Sequence, residues 1–419
     1  MRTQIGFSNI TINFNCPNCH TQITGLVTIP SEPKPEMKNL GIEFLVNNAE
    51  VFNSTNDLAD FVVELSSEFL QQKVVKDDDY FQPTPFIRSF ASYGKQGIDN
   101  LIRLKNALIR LFKYKNEYTI ISNLWNSEKF RTLIIKLNEM SLTRLMIDTW
   151  KKPKAFKITN ELEMLMVVHQ SRVFLLSPFI EKNRRNRILD YPTTFNKIIN
   201  SSEHQKIVNL SKLLGDKKYY IDFEKRMHEI TLQYMEILPD FIPLLNSMDE
   251  LKTDITSGKY TVTTKHVALL TAFYAKAYEL FCDKIDLIIG LNNITVRGNC
   301  NLFCVSSAKV GFDNVINSFN SKYMKLSSLL CVFDTFSLPY TGLISNKIRN
   351  AEGHFDRDFN IDKNTIIFKD SHRGRVSEIE MDYLEFCSAT IKLFNALNEL
   401  FEVSYQMDKL YRISLIGTS

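Results

Sequence analysis

The stretch Leu343-Ile-Ser-Asn-Lys-Ile-Arg-Asn-Ala-Glu-Gly-His354-Phe355 decides how the second half of this chain is read. Placed on a helix at 100° per residue, Ile344, Ile348, Ala351 and Phe355 share one apolar stripe, and Lys347, Asn350 and His354 line up beside it. Arg349 flanks that polar row. Such a helix packs in a bundle by its stripe and offers an imidazole, a carboxamide and two cations to whatever approaches.

Reading outward, Thr365-Ile-Ile-Phe368 is a short apolar run, Ser371-His-Arg-Gly-Arg375 a basic turn, and a long final helix is expected from Ser377. Toward the N-terminus, helical spacing predicts helices near 96–114, 124–139, 160–178, 221–247, 263–290 and 306–335, with Pro239 and Pro243 breaking the fourth. The first seventy or so residues read differently. Near-alternation of Ile5, Phe7, Ile10, Ile12 and Phe14, then Gln22–Ile29 and Ile42–Val46, predicts strands, with Cys16-Pro-Asn-Cys19-His20 at a hairpin tip. Leu58, Phe61, Val62, Leu65 and Phe69 have helical spacing behind the capping cluster Ser54-Thr-Asn-Asp57. The expected fold is mainly α, with a small α+β module over 1–75, a helical middle region over 76–215 and a helical domain with a short β-hairpin insertion over 216–419.

The chemistry these residues suit is cleavage of RNA by its own 2′-hydroxyl. That reaction needs the 2′ proton removed, the leaving 5′ oxygen protonated, and negative charge stabilised on the phosphorane. A histidine titrating near neutrality moves protons. A guanidinium holds a phosphate in a fork and stabilises the developing charge. Asn350, one helical turn from His354, orients the imidazole or donates to a phosphate oxygen. No metal is required for these steps. The plainer alternative is that Arg349 is a solvated cation and His354 a helix-terminal residue favoured by the dipole.

Arg349-Asn350-x-x-x-His354 resembles the Arg-Asn-x-x-x-His motif of HEPN ribonucleases, and the hairpin and closing helix after it resemble what many bacterial members place there. The resemblance is strong over 343–411 and extends over roughly 220–419. It implies a HEPN-like helical bundle and a composite site built by two paired domains, hence a homodimer. It also implies a metal-independent endonucleolytic cut with Arg349, Asn350 and His354 as the catalytic set. Many members belong to toxin or phage-defence (abortive infection) systems, so an antitoxin or activating partner is a further implication. The alternative is a non-catalytic HEPN-like module that binds RNA or a protein partner.

Other stretches carry secondary expectations. Lys182-Asn-Arg-Arg-Asn-Arg187 places Arg184, Arg185 and Arg187 between expected helices as candidate phosphate contacts, and Lys347, His372, Arg373 and Arg375 are candidates nearer the motif. Cys16-x2-Cys19 is half of a zinc-ribbon knuckle; Cys300-x3-Cys304 would supply a second pair for a structural zinc. A redox pair or plain reduced thiols are the other readings of Cys16 and Cys19. Seven cysteines in a long chain fit reduced thiols better than a disulfide framework. A formal charge of +4 over 419 residues leaves nucleic-acid affinity to local patches. No signal peptide and no bilayer-spanning apolar run is read, which points to a cytoplasmic protein without a membrane partner. No phosphate-binding glycine loop and no nucleophile-elbow signature appears.

Overall fold

The computed structural model describes residues 2–3, 9–28, 43–51, 60–76, 84–149, 156–248, 259–262, 267–304, 311–313, 334–336, 346–353, 357–360, 363–372 and 375–416. The chain is mainly helical, with small antiparallel sheets toward both ends. It divides into two compact units, each assembled from three separated segments: unit 1 from 1–108, 236–275 and 345–391, unit 2 from 109–235, 276–344 and 392–419. The boundaries expected at 75/76 and 215/216 do not coincide with the ends of these segments. Within unit 1, Lys73 Nζ reaches Asp382 Oδ2 at 2.6 Å, and the Asn364 amide meets the Thr261 hydroxyl.

Strands β1 (Arg2–Thr3), β2 (Ile10–Asn15), β3 (Gln22–Thr28), β4 (Glu43–Asn47), β5 (Phe61–Val62), β6 (Glu64–Leu65), β7 (Gln71–Gln72) and β8 (Val75–Lys76) belong to unit 1. β2, β3 and β4 form an antiparallel meander in the register Ile10↔Val27 and Leu26↔Leu45. Alternation sends Ile10, Ile12 and Val27 into a small core with Leu65. The helix expected around Leu58–Phe69 is corrected here. Residues 61–65 are extended, and two-residue ladders join them to Lys76 and to Arg2–Thr3. Ser66 Oγ accepts the amide of Phe69 at 3.2 Å, a local turn that competes with helix, and Glu64 receives both Nη groups of Arg88 at 2.6 Å. Tertiary pairing outweighs the helical spacing.

The helices are α1 (Pro85–Asn126), α2 (Phe130–Glu139), α3 (Ser141–Thr149), α4 (Glu161–Leu176), α5 (Lys182–Ile199), α6 (His204–Asp216), α7 (Tyr219–Ile237), α8 (Ile242–Met248), α9 (Val267–Lys284) and α10 (Asp286–Arg297). Strand β9 (Tyr260–Thr261) lies between α8 and α9 and pairs with β7. After α10 come α11 (Asn346–Gly353), strands β10 (Arg357–Asn360), β11 (Thr365–His372) and β12 (Arg375–Asp382), and α12 (Tyr383–Ile416). α1 kinks at Gly94, whose φ of 58° and ψ of −150° few side chains tolerate. α4 starts as its sequence prescribes: Asn160 Oδ1 accepts the Glu163 amide at 2.9 Å, and Glu163 Oε2 reaches back to the Thr159 amide at 2.7 Å. Pro239 ends α7 in a short 3₁₀ turn, as expected. The final helix begins at Tyr383, not near Ser377, because Arg375–Asp382 pairs along its whole length with β11.

α12 sets the architecture of unit 2. Residues 393–408 are buried on every side, so this helix runs through the interior of its bundle. Tyr234 stacks on Phe394 at 3.7 Å and Trp125 is fully enclosed. Among the described residues no helix is long and apolar enough to cross a membrane. The expected helix over 306–335 falls largely outside the described residues.

Candidate active site on the helix 346–353

α11 is a short helix of unit 1 packed on β11. Ile348 and Ala351 of the expected stripe are buried at 1% and 0% exposure, the former worth about 2 kcal/mol of transfer free energy. Ile344 and Phe355 lie outside the described residues. The polar row takes the other side: Lys347 is exposed, and Arg349 and Asn350 are half-buried. His354 follows Gly353 directly in the chain and lies outside the described residues.

β11 supplies what the sequence reading missed. Its positions 366 and 368 are fully buried, and Asp370 continues their alternation. The Asn350 amide nitrogen lies 3.4 and 3.5 Å from the two Asp370 carboxylate oxygens, and Arg349 Nη1 lies 3.4 Å from Asn350 Oδ1. These contacts are long, so the chain Arg349–Asn350–Asp370 orients the carboxamide without locking it. Asp370 turns the amide nitrogen toward the sheet and leaves the oxygen to the guanidinium. The signal that could have found it was a carboxylate at the end of an alternating apolar strand, Ile366-x-Phe368-x-Asp370.

The basic turn is a tight hairpin. β11 and β12 pair from Thr365↔Asp382 to His372↔Arg375, which places Arg373 in the two-residue connection, outside the described residues. β10 completes this sheet in the register Arg357↔Phe368, and Lys369 Nζ meets Asp358 Oδ2 at 2.6 Å.

The arginines of the second basic run serve a different end. They lie in the first turns of α5, not in a loop. Arg184 Nη1 is 2.8 Å from Glu399 Oε2, Tyr191 donates to Glu399 Oε1 at 2.6 Å, and Arg187 pairs with the same carboxylate. Glu399 has no exposure, so Arg184 and Arg187, the expected phosphate contacts, serve here as its counter-charges. Burial pulls the Arg184 guanidinium below its usual range, with Glu399 opposing. Arg185 is half-buried, with Nη1 3.5 Å from the Ser177 carbonyl.

Two histidines of unit 2 join the same interior. His169 lies flat on Tyr405 at 3.6 Å and contacts Glu402 at 2.7 Å, and His228 Nδ1 lies 2.8 Å from the Tyr118 hydroxyl. Burial lowers His228 to about 3 and raises Glu224, 3.4 Å away, to about 8. Both histidines are packed core groups.

Compared with family models, curated proteins and solved structures, the chain matches none. The site therefore rests on its own residues. Of the cysteines expected to share a zinc, Cys16 and Cys19 belong to unit 1 and Cys300 and Cys304 to unit 2. Among the described residues no group of three or more His, Cys, Asp or Glu is arranged to hold a metal.

Proposed function

We propose that this protein is an endoribonuclease whose site is built on α11 from Arg349 and Asn350, with His354 next in the chain. The observation that carries the reading is the division of labour on that helix. Ile348 and Ala351 are sunk in the core while Lys347, Arg349 and Asn350 occupy the other side, backed by Asp370. A cation and a carboxamide held half-exposed on a rigid element, together with the histidine that follows in the sequence, make up the set that cleavage through the 2′-hydroxyl uses.

In this reading the 2′ oxygen attacks phosphorus, the P–O5′ bond breaks, and the products carry a 2′,3′-cyclic phosphate and a 5′-hydroxyl. His354 moves a proton, Arg349 binds the phosphate and stabilises its added charge, and Asn350, oriented by Asp370, donates to a phosphoryl oxygen. No step calls for a metal. One motif supplies one histidine, so a second copy of the chain completes the acid–base pair. Lys347 and the hairpin residues His372, Arg373 and Arg375 would guide RNA toward the site. A cytoplasmic role in phage defence or as a toxin, restrained by an antitoxin or released by an activating partner, belongs to the same proposal.

The test is incubation of purified protein with total RNA and a tRNA pool in excess EDTA, beside His354→Ala. Expected is cutting by the wild type that leaves 2′,3′-cyclic phosphate ends and vanishes in the variant. Equal cutting by both, or RNA retained uncut by both, would move the reading to a module that binds RNA or a protein partner.

A further inference from the structure

The tip of the β2–β3 hairpin carries a second chemistry, independent of the nuclease reading. The last ladder pair is Asn15↔Gln22, and beyond it Cys16-Pro17-Asn18-Cys19 turns back on itself. The turn is held at both ends: the Cys16 amide donates to the Thr21 carbonyl at 2.9 Å, and the His20 amide to the Cys16 carbonyl at 2.8 Å. His20 takes a φ of 57°, which lets the chain re-enter β3. The turn closed by these bonds carries both cysteines at the tip of one hairpin.

The two thiols are not equivalent. Cys19 is exposed and Cys16 is half-covered. The Cys19 thiol lies 3.3 Å from the Thr21 hydroxyl. The hydroxyl, the Thr21 amide and the Cys16 thiol, in that order, hold Cys19 below the usual thiol range. Cys300 and Cys304 are half-covered like Cys16, whereas Cys282 and Cys387 are buried, and burial pushes the Cys387 thiol up.

We propose that Cys16 and Cys19 form a thiol–disulfide exchange site whose co-substrate is an oxidised low-molecular-weight thiol of the glutathione type. The Cys19 thiolate attacks one sulfur of that disulfide, forming a mixed disulfide and releasing the first small thiolate. Cys16, after losing its proton to solvent, attacks the Cys19 sulfur, closes the Cys16–Cys19 bond and releases the second. Two protein thiols are oxidised, one small disulfide is reduced to two thiols, and the reverse sequence restores the dithiol. Accessibility assigns the roles: the exposed sulfur meets the co-substrate and the half-covered one resolves it. Pro17 stiffens the connection, and the hairpin ladder keeps the sulfurs together in the reduced state.

The full chain, reduced and freed of reductant, is exposed to graded oxidised glutathione, and the peptide spanning 16–19 is followed by mass spectrometry. In the wild type that peptide is expected to lose two hydrogens with no lasting adduct, and excess dithiothreitol to reverse the change. Cys16→Ser is expected to accumulate glutathione on Cys19. Cys19→Ser should react at Cys16 about tenfold more slowly, and Thr21→Val should slow the wild-type reaction severalfold with both thiols present. Circular dichroism of each variant confirms that the fold is kept. Three results would overturn the proposal: one equivalent of zinc retained on the purified protein and shielding both sulfurs, equal rates for the two serine variants, or glutathione adducts persisting on both cysteines of the wild type.

Discussion

The interior of unit 2 and the α11–β11 corner of unit 1 both gather charge, but in opposite ways. In unit 2, Glu399 is fully buried and takes Arg184, Arg187 and Tyr191, while Glu402 takes His169 and Gln406. Arg172, with 2% exposure, reaches Asn398 and lies 4.0 Å from the Phe401 ring centroid. The contacts of Glu399 with Arg184 and Tyr191, and of Glu402 with His169 and Gln406, are 2.6–2.8 Å. At the corner, Arg349, Asn350 and Asp370 are half-exposed and their contacts run to 3.4–3.5 Å. Closed, short networks fix a fold, because a buried charge that loses its partner is costly. Loose, accessible ones keep hydrogen-bonding capacity for a ligand. The first region suits stability and the second suits the proposed chemistry, and each role can be broken separately.

The largest effect is expected from Glu399→Ala. It leaves Arg184, Arg187 and Tyr191 facing an uncompensated interior and should lower stability by about 3–5 kcal/mol, read by chemical denaturation. Trp125, buried in unit 2, is a convenient fluorescence reporter. A loss below about 1 kcal/mol would mean that the network is not the structural centre argued for. Arg349→Ala is the mirror experiment. Turnover on RNA should fall about 10²–10³-fold, the usual cost of deleting a group that stabilises transition-state charge, with the unfolding midpoint nearly unchanged. Equal damage to stability in the two variants would erase the distinction between the regions.

What was legible in the sequence follows the same divide between local and distant interactions. The α4 start was readable because Asn160 and Glu163 are three residues apart, and the Cys16–Cys19 hairpin because alternation flanks a turn. The stripe of α11 was readable for the same reason, and Ile348 and Ala351 bear it out. α5 was hidden by Pro192, which lacks the amide an interior helical position uses, yet the helix persists through burial of Ile188, Tyr191 and Phe195 and the Tyr191–Glu399 bond. Glu399 meets Tyr191 and Arg184 from 208 and 215 residues away, and no local spacing signals such a partner. Asp370 is 20 residues from Asn350 and on another kind of element, so the motif alone could not indicate it. The interleaving of the two units was illegible for that reason too: it depends on pairings such as Gln71↔Thr261 and Lys73–Asp382.

A subtler separation comes from pH. Burial raises Glu224 to about 8, against an ordinary carboxyl value of 4.5, so the folded protein keeps a proton that the unfolded chain gives up. Fewer protons on the unfolded state mean that stability falls as pH rises. The contribution is complete below about pH 4.5 and is lost through about pH 8. Between pH 6 and 8 the protein should lose about 1–2 kcal/mol, and Glu224→Gln, which carries no titratable group, should flatten that slope. His228 acts with the opposite sign at lower pH. Its lowering to about 3 makes stability fall as pH drops below its ordinary 6.5. A slope between pH 6 and 8 that Glu224→Gln left untouched would place the alkaline sensitivity elsewhere.

The smallest effect tests the corner on its own terms. Asp370→Asn keeps the shape but replaces an acceptor-only carboxylate with an amide that can equally present its nitrogen to Asn350. The Asn350 carboxamide then loses its preferred orientation, and the proposed nuclease should slow about three- to tenfold, on the order of 1 kcal/mol. RNA affinity should be little changed or slightly higher, because a negative charge near the phosphate is removed. Asp370→Ala should slow turnover at least as much, and Asp370→Glu should recover part of it by restoring a carboxylate. If all three variants cut RNA as fast as the wild type, Asp370 would be a surface carboxylate that happens to face Asn350. If Asp370→Asn lowered stability as much as Glu399→Ala, the corner would belong with the interior of unit 2 as a structural network, and the contrast between the two regions would fail where the site depends on it.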